Sequence, residues 1–128
     1  MNHKMKSILK WTPSAITGTL ISLSAMFKLT HAAPLVEHYT QLGIVQYMPL
    51  LGMMELVLVI LFIHPRTVKI GLLLCTAYYG GAMATEFSHG SMMVPPMIVM
   101  VLVWASAFVR NSDLFLVKKS IIPSLKIN

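Results

Sequence analysis

Four apolar runs, each roughly 16–17 residues long, constrain this chain more than any other feature. They lie at about Trp11–Phe27, Tyr47–Ile63, Ile70–Thr85 and Val94–Val109. Runs of that length sit at the short end of what a helix needs to cross a bilayer, and flanking residues or local thinning make up the difference. In hydrocarbon only helices or closed barrels satisfy every backbone N–H and C=O. The runs lack the alternating polarity of barrel strands. The expectation is therefore all-α: a four-helix transmembrane bundle forming a single membrane domain over residues 1–128. Composition agrees, because 56% of residues are apolar and only 11% charged, about half the charge of a soluble domain. The partner solvent is the lipid bilayer.

The cations then set orientation. Lys4, Lys6 and Lys10 precede the first run, Arg66 and Lys69 separate the second from the third, and Arg110, Lys118, Lys119 and Lys126 follow the fourth. With four spans all of these share one side, and Lys28 stands alone on the other. The positive-inside rule puts both termini in the cytoplasm, N-in and C-in, with a basic cytoplasmic tail over residues 111–128. The formal charge of +6 thus reads as membrane orientation, not as a nucleic-acid surface. Cleavage as a signal peptide fits poorly, since Lys28 and His31 interrupt the end of the first run. The expected location is the cytoplasmic (inner) membrane of a bacterium. Cys75, the single cysteine, excludes an intramolecular disulfide or a dithiol exchange pair.

The first outer connection, about residues 29–46, is longer than a turn. Pro34 suits a helix start and Gly43 a helix stop. Leu35, Val36, Tyr39 and Leu42 share one face, with Glu37, His38 and Gln41 opposite. A short amphipathic helix lying against the outer end of the bundle is predicted.

Topology gives the scarce polar groups a depth. Glu55 falls eight residues into the second run, roughly 12 Å down at a 1.5 Å rise per residue. An intramembrane carboxylate is costly, so Glu55 faces the interior, protonated or paired. Tyr79, Ala82, Glu86 and His89 follow at spacings of three, four and three, one stripe on one helix face. Gly71, Cys75, Tyr78 and Ala82 form an overlapping stripe suited to close helix contact. Lys28, Glu55, Tyr79, Glu86 and His89 therefore form a candidate polar cluster in the outer half of the bundle, with Lys28 on the same side as Glu86. Solvated helix ends are the plainer reading of Lys28 and Glu86, and a structural pair that of Glu55. The Glu86-x-x-His89 spacing resembles half of a carboxylate-bridged di-iron site, but the chain lacks the remaining ligands, and no metal is expected. Phosphate loops, zinc spacings and a nucleophile triad are absent.

The segments VEHYTQLG (Val36–Gly43), LGMMELVLVILFIHPRT (Leu51–Thr67) and YYGGAMATEF (Tyr78–Phe87), continued by Pro96, Leu102–Trp104 and Arg110, resemble the DoxX-like family of small four-span membrane proteins. The resemblance runs from about Ser14 to Val117. It implies a four-helix membrane bundle and constrains function loosely: relatives include a subunit of a thiosulfate–quinone oxidoreductase, membrane partners of redox or assembly systems, and receptor-assembly chaperones. Similar sequences tend to place His where Glu86 stands here. The exchange keeps a titratable group and reverses its sign when charged, which makes a Glu86–Lys28 pair attractive. The functional expectation is a membrane subunit supporting redox chemistry, with quinone as the ligand class and Glu55, Tyr79, Glu86 and Lys28 exchanging hydrogen bonds or protons with it. A non-enzymatic assembly or scaffold protein, working with a membrane protein partner or as a homo-oligomer, is the alternative. A proton-coupled small-molecule carrier is a third.

Overall fold

The computed structural model describes residues 2–116. Within them the chain forms five α-helices and no strand: α1 (His3–Leu29), α2 (Ala33–Gln41), α3 (Met48–Ile63), α4 (Val68–Ser88) and α5 (Val94–Arg110). Short 3-10 turns occupy Val45–Tyr47 and Ser112–Leu114. The basic tail from residue 117 onward lies outside the described residues.

Local chemistry explains where the helices begin and end. Helices α2, α3 and α5 each carry proline in their first turn, where its missing N–H costs nothing. Helix α3 stops at His64, extended before Pro65, as the ring of a following proline requires. Helices α1, α2 and α4 stop in one shared way. A residue in the left-handed region follows each: His31 (φ 54°), Gly43 (φ 73°) and Gly90 (φ 69°). Beyond each, a backbone N–H reaches back to the last turn, from Ala32 to the Phe27 carbonyl, Ile44 to Tyr39 and Ser91 to Glu86. These bonds satisfy carbonyls that the helix end would otherwise leave open.

Helices α1 and α4 outrun the apolar runs that seeded them, while α3 and α5 match theirs to within a residue. Helix α1 starts at His3, not near Trp11, because its lysines are good helix formers that need only solvent. Its Ser and Thr side chains turn inward on their own helix: Thr17 and Thr19 donate to Pro13 and Ala15 at 2.8 Å. Among the described residues, length and hydropathy single out Val45–Ile63, 19 residues, as able to cross a membrane, and α1 with α2 as a broken pair bent by 81°. Helix α5 is apolar but shorter. Four crossings do not follow from helix length and hydropathy, since hydroxyls dilute α1 and glycines, tyrosines and Glu86 dilute α4.

The long helices pack in a ring, α1 beside α3 and α5, and α4 beside α3 and α5. The seam of α1 is Ser14, Thr17, Gly18, Ile21, Ala25 and Lys28; its small members Ser14, Thr17, Gly18 and Ala25 allow close approach. Gly71 brings α4 against the end of α3: a Cβ there would stand 2.5 Å from the Phe62 nitrogen. The Thr67 hydroxyl donates to the Leu61 carbonyl at 2.8 Å and ties the same hairpin. Ile21, Phe62, Leu72, Cys75 and Val103 form an apolar core, but polar groups are buried beside it and large apolar side chains face outward. Ser14, Thr17, Lys28, Glu55, Ser106 and Arg110 are buried, while Leu73 is 69% and Ile60 67% exposed. Leu20, Met53, Val101 and Phe108 are also exposed, so apolar side chains stand outward on every long helix.

Candidate functional site

The site is built where α1 ends against the middle of α3. Glu55 is one of the most deeply enclosed side chains, 1% exposed, and Lys28 is 5% exposed. Lys28 Nζ donates to Glu55 Oε1 at 2.6 Å and to Ser24 Oγ at 2.7 Å. The Tyr78 hydroxyl donates to the same Glu55 oxygen at 3.0 Å. Glu55 Oε2 has no hydrogen-bond partner. A buried ion pair of this kind is held by complementary geometry, since both ions give up water to form it. Lys28 also stands 6.0 Å from the centre of the Tyr39 ring.

A second pair closes the top. His38 Nε2 on α2 meets Glu86 Oε1 on α4 at 2.7 Å. Glu86 Oε2 has no hydrogen-bond partner. Between the two pairs lies a cavity of about 300 Å³, walled by Tyr39, Leu42, Leu51, Tyr78, Ala82 and Glu86 among others. Burial, and after it the Glu55 and Glu86 carboxylates, push the Tyr39 phenol well above its ordinary range, so Tyr39 presents a neutral hydroxyl.

The cluster anticipated from sequence is placed unevenly. Lys28 and Glu55 meet, and Glu86 lies on the cavity above them. The pairing differs from expectation: Lys28 takes Glu55, and Glu86 takes His38. Tyr79 is 5% exposed and its ring meets Tyr78 edge-on at 5.0 Å, but its hydroxyl bonds no member of the cluster and lacks a partner. His89 is exposed and turns to Ser88 and the Thr85 carbonyl at 3.1 and 3.0 Å, away from the cavity.

Sequence reasoning missed two members. Spacing alone puts Tyr78 in helix contact; its stripe with Gly71 and Cys75 turns toward α3, and that direction carries its hydroxyl to Glu55. Helix periodicity puts His38 on the outward face of α2, but the helix is rolled so that Glu37, Thr40 and Gln41 are exposed while His38 and Tyr39 are half-buried. Among the described residues no three His, Cys, Asp or Glu side chains gather as a metal site.

At the opposite end, Arg110 is buried between the rings of Trp11 and Phe62, 4.9 Å from each centre. Its Nη2 donates to the Phe62 carbonyl at the end of α3, where the helix dipole favours a cation.

Taken together, apolar side chains outside, charge inside and an all-helical ring define a membrane-type helical bundle with a polar cluster in its interior. The sequence pattern of the DoxX-like family matches residues 12–107, and the chain belongs to that family: a membrane protein of undefined activity. No curated protein and no solved structure matches it.

Proposed function

We propose that the chain is a four-span membrane protein of the bacterial inner membrane, with both termini in the cytoplasm, and that it serves a redox system as a subunit holding a quinone-class molecule. Two features support four crossings. Large apolar side chains face outward on all four long helices, and every cation of the sequence except Lys28 falls on one side of such a bundle.

The ligand reading is carried by one observation: a buried Lys28–Glu55–Tyr78 chain adjoining an apolar-walled cavity of about 300 Å³. Charged groups within a membrane bundle are functional candidates by default, and a largely apolar cavity with a few convergent polar groups is the usual form of a small-ligand site. The residues fit such a ligand. Leu42, Ile44, Leu51 and Ala82 offer apolar wall, and Tyr39 offers a hydroxyl. A quinone when bound supplies two-electron, two-proton redox chemistry. The protein's own part is to exclude water, to orient the ring against Tyr39 and Tyr78, and to hold the Tyr78 hydroxyl on Glu55.

Purification in mild detergent followed by lipid extraction tests this. Co-purifying quinone, lost in Glu55→Leu and retained in a surface variant such as Leu73→Ala, is the expected result. No extractable quinone, and no binding on add-back, removes the quinone reading.

A further inference from the structure

Two wall residues of the cavity, Ala77 and Tyr78, also line a groove of about 500 Å³ on the outer surface between α3 and α4, with Met53, Met54, Val57 and Leu74. The groove is almost wholly apolar and opens where the bundle meets lipid. The cavity is different in kind. The atoms left without partners in and behind its wall include two carboxylate oxygens, Glu86 Oε2 and Glu55 Oε2, besides the Tyr79 hydroxyl. Lys28 Nζ is already engaged by Glu55 and Ser24, and the Tyr78 hydroxyl by Glu55. At Glu86 the unmet demand is thus for a hydrogen-bond donor, since a carboxylate oxygen accepts.

We propose that cavity and groove form one continuous site for a single-tailed amphiphile whose head donates hydrogen bonds, with the head at Glu86 and the tail along α3 and α4. The inference rests on the ligand-holding reading above and sharpens it. Heads with hydroxyl or ammonium donors satisfy Glu86 Oε2, whereas a head offering only carbonyl oxygens can take the Tyr39 hydroxyl but leaves Glu86 Oε2 unmet. For a quinone-class ligand the site therefore prefers the reduced, dihydroxy form. Tail entry needs no opening of the bundle, because the groove already faces the acyl chains.

The test is equilibrium binding to the purified full chain in lipid nanodiscs, using three probes with one saturated tail: an alkyl hydroquinone, an alkylammonium and an alkyl benzoquinone. Both donor heads are expected to bind about tenfold or more tighter than the benzoquinone, the scale of one charge-assisted hydrogen bond. Glu86→Gln, which keeps shape and replaces one acceptor with a donor, should erase that preference, and Glu86→Leu should do the same. Leu74→Trp, filling the groove, should weaken all three probes alike while helix content by circular dichroism stays unchanged. A benzoquinone that binds as tightly as the donor heads, or a preference that survives both Glu86 variants, overturns the donor-head inference and leaves the ligand-holding reading standing. Unaltered binding in Leu74→Trp overturns the tail placement. Failure of every probe to bind overturns both readings.

Discussion

At the scale of single residues, the Lys28–Glu55 pair dominates. Each ion is enclosed by protein, so neither can recover water if its partner is lost. Replacing one alone, Lys28→Met or Glu55→Leu, should cost about 3–5 kcal/mol. The double replacement removes both desolvation penalties and should cost less than either single change. Thermal unfolding of the four proteins in detergent completes the cycle; additive losses would mean that the two charges do not meet. His31 carries a smaller debt. It is exposed and held at φ 54°, a conformation that L side chains adopt at a penalty and glycine does not. The equivalent positions after α2 and α4 are glycines. His31→Gly should raise stability by about 0.5–1 kcal/mol, read as a higher melting temperature in the same detergent.

At the scale of elements, polar contacts join every pair of packed helices beside an apolar core of Ile21, Leu58, Phe62, Leu72 and Val103. Thr17 and Ser106 share a hydrogen bond of 2.7 Å between α1 and α5, and Trp104 Nε1 donates to Thr76 at 3.0 Å between α5 and α4. Lys28, Tyr78 and Arg110 link α1, α4 and α5 respectively to α3. Lipid tails are as apolar as leucine, so in a bilayer helices associate through close packing and such bonds. Close packing is sharpest at Gly71, where an added Cβ would lie 2.5–2.7 Å from the backbone of Phe62 and Leu61. Backbone cannot swing aside as a side chain can. Gly71→Ala should destabilise by about 1–3 kcal/mol. Gly81→Ala, with nothing within 4 Å of the new carbon, should be neutral or mildly stabilising through helix propensity. Equal effects of the two, in parallel melts, would remove the close-approach argument.

At the scale of the whole molecule, the asymmetry of charge is the feature with the longest reach. The four crossings proposed above would put the α3–α4 hairpin and both termini beside the cytoplasm, and the α4–α5 connection outside. A reporter active only outside the cytoplasm should be active when inserted after Gly90 and silent after Thr67 or after Asn128. Activity at Thr67 would reverse the orientation, and with it the depth assigned to the Lys28–Glu55 pair.

What was legible in advance followed from short-range rules. Apolar runs bounded by proline and glycine marked four long helices and the amphipathic α2, because helix periodicity, proline geometry and left-handed stops act within a few residues. The buried carboxylate on α3 was also legible, since an acid inside an apolar run must find company. Its companion was not. Lys28 had two candidate acids, and the choice of Glu55 over Glu86 depends on how far α1 slides along α3, which the small-residue seam from Ser14 to Ala25 and the contact of Gly52 with Ala25 and Leu29 decide. The roll of α2, which turned His38 toward Glu86, and the direction of Tyr78 are likewise matters of packing. The chain by itself determined its elements, its solvent and its scarce charges, because each depends on local covalent geometry or on transfer from water. Only tertiary structure decided which charges meet, because an ion pair forms or fails over an ångström or two, a distance set by side chains far apart in sequence.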